Sequence, residues 1–587
     1  MSAQPLYFSA AAQPDQPLFG WLHPAAAARD TGLVVCAPFG FEEECAHKSL
    51  RCLAEAAAAQ GIPALRFDYA GCGNSAGDEF APDLHARWLA SVTAAIEALK
   101  QHAGVDRVVV AGLRLGALLA AQTTAGRKDV CGLVAIAPVL SGKAYLRELK
   151  MLGRTGFQPL AQAGDETLLQ AAGYALSQPL CEALNPVDLR QLTLAGTVPA
   201  PAVLLAERSD VGAPSDWPQA LAAQGVAVTT LAFDGYAAMM SDPQNTQVPQ
   251  ALIRAVVGFV QGLSAASASP RPAPAATASA STRWCLPDGV AVEEIAHRLP
   301  VADAQLFAIS SQPAAVRKTV VLLSSGTLHN IGPGRMWATL ARHWAARGVR
   351  VIRLDLPGIG ETPATDRIGE NVVYSADYMP YIAQLLAALR AGQLPGLPAA
   401  SGGSYHLLGL CSGATHAFKA ASLAQGWDSY LLVNPLTFVY GELSGAGQLQ
   451  SYEVENAMAK YRKALFKAET WKKLFQGRLN FKYIASVVQR KVLQKLGSRR
   501  RASAGAEVHG LAADLQSIAA AGGQLRCVFS ENAPGEYLLR TEAAAPYASL
   551  QASGTIVVAS MADADHTFTR AEARRRLLPV FDRLLEA

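Results

Sequence analysis

One stretch limits the folds open to this chain more than any other: Tyr405-His-Leu-Leu-Gly409-Leu-Cys411-Ser-Gly413-Ala-Thr-His-Ala-Phe418. A short apolar run enters Gly-x-Cys-x-Gly, and an alanine-rich helical pattern leaves it. That order describes a strand, a sharp elbow and a helix, with cysteine at the apex where a nucleophile is expected. Each flanking glycine has a physical job. A Cβ at either position would collide with the neighbouring strand or helix, while the apex side chain is pushed into the open.

An elbow of this kind needs a parallel sheet around it, and the chain carries the material for two. Its 587 residues exceed one hydrophobic core. With 51% apolar and 17% charged residues it is globular, not disordered. Residues 264–282 are almost entirely Ala, Ser and Pro, a composition that forms no core and serves as a tether. The tether separates a unit at 1–263 from a unit at 283–587, and the two repeat one plan.

In the first unit, strands are predicted at Thr31–Phe39, Pro63–Asp68, Arg107–Ala111 and Ala202–Ala206, with helices near Leu50–Gln60 and Ala86–Lys100. A turn Gly71-Cys-Gly-Asn-Ser75 and an elbow Gly112-Leu-Arg114-Leu-Gly116 follow in order. The second unit offers strands at Val320–Ser324, Val349–Asp355, Ser429–Val433, Gln524–Ser530 and Thr555–Ala559. It has a helix at Met336–Arg347 and a turn Leu356-Pro-Gly358-Ile-Gly360 ahead of Cys411. Alternating strands and helices rich in Val, Leu and Ile predict two doubly wound α/β units with mostly parallel sheets.

The repeated order of an Asp-x-x-Gly-x-Gly turn and a later Gly-x-nucleophile-x-Gly elbow resembles the α/β-hydrolase superfamily. Pro38-Phe-Gly-Phe-Glu-Glu-Glu44, Phe67-Asp-Tyr-Ala-Gly71 and Gly112-Leu-Arg-Leu-Gly-Ala117 resemble the hydrolase-like proteins associated with exosortase A systems. Ser325-Gly-Thr-Leu-His-Asn-Ile-Gly-Pro333, Gly409-Leu-Cys-Ser-Gly-Ala414 and Asp565-His-Thr-Phe568 resemble bacterial α/β-hydrolases with a cysteine elbow. The resemblance implies two tandem α/β-hydrolase folds and, in the second, acyl chemistry. It fixes the fold far better than the substrate.

In that fold the chain order is nucleophile, acid, histidine. His566 follows the last predicted strand and is the expected base for Cys411. The acid belongs just after Gln524–Ser530, where relatives carry Asp near the position of Ala533; here Glu531 is the nearest carboxylate and Glu536 the second. The expected oxyanion donors are the amide of Ser412 and one from the loop at Thr327. His329, in the same loop, is a candidate substrate contact, although a solvated loop histidine is the commoner case. The competing reading of Cys411 itself is a small buried apolar residue in a tight turn.

A helical insertion at about 441–515 reads as a cap, and from Lys460 to Arg501 its only acid is Glu469 amid a dense run of Lys and Arg. Such a run is usually a solvated face. Its imbalance suits an anionic partner: coenzyme A, an acidic carrier protein or an anionic membrane surface. No nucleic-acid motif accompanies it.

The first unit places Arg114 at its elbow apex, where no nucleophilic attack is available. The place expected for histidine, Phe233-Asp-Gly-Tyr-Ala-Ala-Met-Met240, contains none. Arg114 is expected either to hold an anionic ligand or to pair with Glu43 or Asp210, and a Cys72–His47 pair has little to recommend it. The first unit thus reads as a binding or structural domain without a standard triad.

Nine cysteines in no paired-CxxC pattern argue against both a disulfide framework and a metal site. The opening residues carry no signal-peptide pattern, and no apolar run reaches membrane-spanning length, so a cytoplasmic protein is expected. The reading is a cysteine-dependent thioesterase or acyltransferase using no cofactor, acting on an acyl thioester or ester through an acyl-enzyme. The alternatives are a catalytically silent scaffold, or an ester or lactone hydrolase using the same Cys411–His566 pair.

Overall fold

The computed structural model describes residues 2–26, 29–155, 165, 167–210, 215–264, 279–286, 289–400, 402–424, 426–440 and 510–586. The predicted basic cap at 441–515 falls almost wholly outside them, as does most of the tether. The second unit's sheet begins with the strand Ser281–Cys285, two residues inside the predicted tether.

The first unit is built on an eight-stranded sheet. In spatial order the strands are Gln4–Ala10, Gln13–His23, Ala64–Phe67, Thr31–Cys36, Arg107–Leu113, Val130–Ile136, Ala202–Arg208 and Ala227–Phe233. The first two are antiparallel additions on one edge, and the other six run parallel. The second unit repeats this with nine strands, in the order Ser281–Cys285, Ala291–Val301, Ala304–Gln312, Val349–Leu354, Lys318–Leu323, Ser404–Leu410, Ser429–Val433, Leu525–Ser530 and Ile556–Met561. Its parallel part has the same crossover order, with the second strand outside the first. Helices cover both faces, so the parallel strands read as unbroken apolar runs; Val320, Val321, Leu322 and Leu323 have no exposed surface.

The antiparallel edge strands carry no strong sequence signal, and they make the domain interface. Trp21 packs on Phe307 with ring centroids 4.7 Å apart, inside an apolar cluster with Tyr7, Phe19, Ala296 and Ile309. Around it the two units meet with a repeated geometry. In each, an Asp at the end of the second parallel strand (Asp68, Asp355) accepts the amide six residues on (Asn74, Glu361). The hydroxyl after that (Ser75, Thr362) bonds the Asp carbonyl and takes the amide of Phe19 or Phe307. Two residues before each Asp stands an arginine that reaches across to the other unit. Arg66 grips both oxygens of Glu361 at 3.1 Å, and Arg353 bonds the side chain of Asn74.

His47, from the helix Phe41–Ala59, bridges Glu43 at 3.0 Å and Glu361 at 2.9 Å. Burial disfavours its charged form, but the two carboxylates outweigh burial and raise its pKa to about 9. An unfolded histidine titrates near ~6.5. Its contribution is therefore fully present below about pH 6.5 and lost as pH rises through about 9. Replacing Glu361 by Gln leaves Arg66 buried without its carboxylate, and should lower unfolding stability by about 3–5 kcal/mol. In urea titrations the wild type should weaken between pH 7 and 10, and Glu361→Gln should flatten that slope.

Candidate active site

Cys411 sits at φ 57° and ψ −116° between the strand Ser404–Leu410 and the helix Ser412–Lys419. A non-glycine residue holds such a conformation only where its surroundings enforce it. Here they do: a Cβ at Gly409 would lie 2.1 Å from the carbonyl of Gly413, and one at Gly413 would lie 2.5 Å from the Ser324 oxygen. The Cys411 amide is spent on the Val433 carbonyl at 2.9 Å. Arg114 takes the same conformation, φ 54° and ψ −117°, in the first unit. Both elbows therefore form where the glycine spacing placed them.

Three groups converge on the Cys411 sulfur: the His566 ring, the Ser412 amide and the Tyr374 hydroxyl. Burial pushes the thiol pKa up, yet these three outweigh it and hold the thiol below its ordinary value. For His566 burial favours the neutral ring, but Cys411 and then Asp565 reverse it, so its pKa is raised. The two directions agree, and both favour a thiolate–imidazolium pair. The contact is loose, since neither His566 ring nitrogen makes a well-aligned hydrogen bond among the described residues. Histidine bases in ligand-free sites commonly tighten only on substrate.

The carboxylate expected to orient His566 is not beside it. Glu531 lies exposed in the turn after Leu525–Ser530. The second choice, Glu536, pairs with Arg540 at 2.7 Å. Asp565 spends both oxygens on the amide and hydroxyl of Thr569. Ala533, where an Asp was looked for, is buried and precedes the helix Pro534–Glu542. His566 is held instead through its backbone. Asn434, wholly buried at the end of Ser429–Val433, donates Nδ2 to the His566 carbonyl at 2.8 Å and accepts the Ser530 amide at 2.8 Å. Sequence reading passed over Asn434; its one signal was a polar residue ending an apolar strand.

The oxyanion loop reaches the elbow through Ser412, whose hydroxyl accepts the Gly326 amide at 2.8 Å. That bond commits the Ser412 side chain, leaving its amide at the sulfur. Thr327 follows in the same loop, with a buried hydroxyl that has no hydrogen-bond partner among the described residues.

The two predicted ligand contacts lie elsewhere. His329 turns into the domain interface, stacked on His47 with centroids 4.2 Å apart and an interplanar angle of 17°. It lines two cavities there whose walls do not include Cys411. Arg114 is an internal ion pair, held at 2.6 Å by both Glu42 and Glu148 rather than by Glu43 or Asp210. With its charge met twice it has little to offer an anionic ligand. Cys72 is pushed up to about 12 by burial, which removes the Cys72–His47 pair as a reactive couple.

Residues 31–171 match the family profile described as serine aminopeptidase, S33, and residues 320–585 match that of the alpha/beta hydrolase family. Solved structures similar to part of the chain include Est1E from Butyrivibrio proteoclasticus, at 16% identity and TM-score 0.32, covering 45% of this chain and 99% of that one. The Pyrococcus furiosus esterase Pf2001 matches at 15% identity and TM-score 0.32, with 45% and 90% covered. Proline iminopeptidase of Mycobacterium smegmatis matches at 15% identity and TM-score 0.31, with 45% and 98% covered. None of the curated protein sequences matches. Among the described residues no helix is long and apolar enough to cross a membrane.

Two outcomes check the site. Iodoacetamide should alkylate Cys411 at lower pH than buried thiols such as Cys36 and Cys527, both pushed up to about 12. His566→Ala should move the Cys411 profile upward, as peptide mapping would show. Asn434→Gly keeps the positive φ available while removing both bonds, and should cut kcat roughly 100-fold through a displaced His566, with KM little changed.

Proposed function

Taking the chain as two alpha/beta-hydrolase units in tandem, we propose that the second performs cysteine-dependent acyl transfer or hydrolysis while the first serves as a non-catalytic partner. The observation that carries this reading is Cys411 on a strained elbow with its thiol pKa held low by His566 and the Ser412 amide.

His566 accepts the Cys411 proton, and the thiolate adds to an ester or thioester carbonyl. The Ser412 amide and a second donor from the Gly326–Thr327 loop meet the developing oxyanion. The C–O or C–S bond then breaks, and imidazolium returns the proton to the leaving alkoxide or thiolate. The acyl-enzyme is released when His566 deprotonates water or another acceptor. Thioesters suit this site best, because exchange between thiolates is nearly thermoneutral, and the basic run at Lys460–Arg501 suits a coenzyme A or carrier arm. The Tyr374 hydroxyl, one of the groups that lower the Cys411 pKa, would steady the thiolate.

The missing carboxylate favours a second reading, a catalytically silent scaffold. A Cys–His pair depends less on a third member than Ser–His does, since a thiol ionises far more readily. Intact-mass measurement decides between them. After incubation with a panel of acyl-coenzyme A thioesters and 4-nitrophenyl esters, the wild type should gain one acyl group. Cys411→Ala should gain none, and His566→Ala should gain it slowly. Absence of any adduct and of turnover across the panel would leave the scaffold.

A further inference from the structure

The interface between the units holds a cluster that the chemistry at Cys411 does not use. We propose that Glu43, His47 and His329 form a divalent transition-metal site that clamps the two units together.

Glu43 and His47 stand one turn apart on the helix Phe41–Ala59, facing the same way. His329 comes from the other unit, in the loop after Lys318–Leu323. One donor atom from each lies within 4.8 Å of the other two. His47 Nδ1 is 3.0 Å from Glu43 Oε1, and His329 Nε2 is 3.9 Å from Glu43 Oε2. Bonds of roughly 2.0–2.2 Å to two imidazoles and a carboxylate require ligand atoms some 3.3 Å apart, so the cluster closes by under about 1.5 Å.

The second observation is His329 Nε2 itself. The residue is 5% exposed, and among the described residues this nitrogen makes no hydrogen bond, the Glu43 carboxylate lying 3.9 Å away. Left so, a buried ring nitrogen carries an unmet desolvation cost; a metal ion meets it.

The surroundings also fit. Histidine ligands commonly give their other ring nitrogen to a carboxylate, which fixes the tautomer. His47 does this through Nε2 to Glu361 at 2.9 Å, and Arg66 holds Glu361 by both oxygens. Two cavities meet at the cluster, each lined by Glu43, Asp68 and His329. Imidazole and carboxylate together suit zinc and its neighbours better than calcium or magnesium.

The rings of His47 and His329 now lie face to face. Metal entry would transfer Glu43 from His47 to the ion and turn both rings edge-on towards it.

The test is calorimetric titration of the full chain with Zn²⁺, in a Cys411→Ala background that removes the competing thiolate. The cobalt(II) absorption spectrum reports the donors. One equivalent should bind, and the cobalt spectrum should lack thiolate charge transfer. His329→Gln and Glu43→Gln should each weaken binding at least tenfold. His329→Gln leaves the Glu43–His47–Glu361 bridge in place, so it should still fold and keep the comparison valid if Glu43→Gln unfolds. No bound equivalent, equal affinity in the folded variants, or a thiolate-type cobalt spectrum would overturn the site.

Discussion

The elbow is the constraint from which the rest of each unit follows. A non-glycine apex in the left-handed region costs on the order of 1–3 kcal/mol, and it persists only when its neighbours leave no alternative. At Cys411 those neighbours are Gly409 and Gly413, each so close to backbone that no Cβ fits. The strand before the elbow must then sit centrally in a parallel sheet, and the helix after it must lie against that sheet. Both units accept this constraint with almost identical dihedral angles, and only the apex residue differs. In one unit the apex holds a thiol; in the other it holds a guanidinium neutralised by Glu42 and Glu148. The same backbone device thus presents a thiol once and an internal ion pair once.

The interface obeys a second symmetry. The Asp-x-x-Gly-x-Gly turns that shape each unit's edge also face each other, so Arg66 meets Glu361 where Arg353 meets Asn74. Buried ion pairs gain little net stability over apolar packing, but removing one partner is costly. Such an interface selects one arrangement of the units more than it strengthens their union, and Trp21 on Phe307 supplies the apolar contact. The loop from Ser325 to Asn330 spans both functions. Its Gly326 amide is bonded at the elbow, and His329 is buried between the domains.

Much of this was legible in the chain. The glycine spacing gave both elbows, and the apolar runs gave most of the parallel strands to within a few residues; Ser429–Val433 coincided throughout, while Val130–Ile136 and Ala227–Phe233 were missed. The antiparallel edge strands were missed because Gln4–Ala10 and Ala291–Val301 mix buried and exposed positions without the apolar density of a central strand. The placement of His566 beside Cys411 was legible from chain order, since the fold returns the last strand's loop to the elbow. The orienting acid was not, because a carboxylate near the right position in sequence says nothing of which way a turn directs it. Glu531 faces solvent. The partners of His329 and Arg114 were not legible, because they come from elements distant in sequence: His47 and Glu43 of the other unit for His329, Glu42 and Glu148 of its own unit for Arg114.

A covalent intermediate at Cys411 is the centre of this account, and pre-steady-state kinetics tests it most directly. Mixed with a 4-nitrophenyl ester, the wild-type chain should release a rapid burst of 4-nitrophenol approaching one equivalent per chain, followed by slower turnover. Cys411→Ala should show neither phase. A burst that survives in Cys411→Ala, or turnover in the wild type that this substitution leaves unchanged, would contradict it.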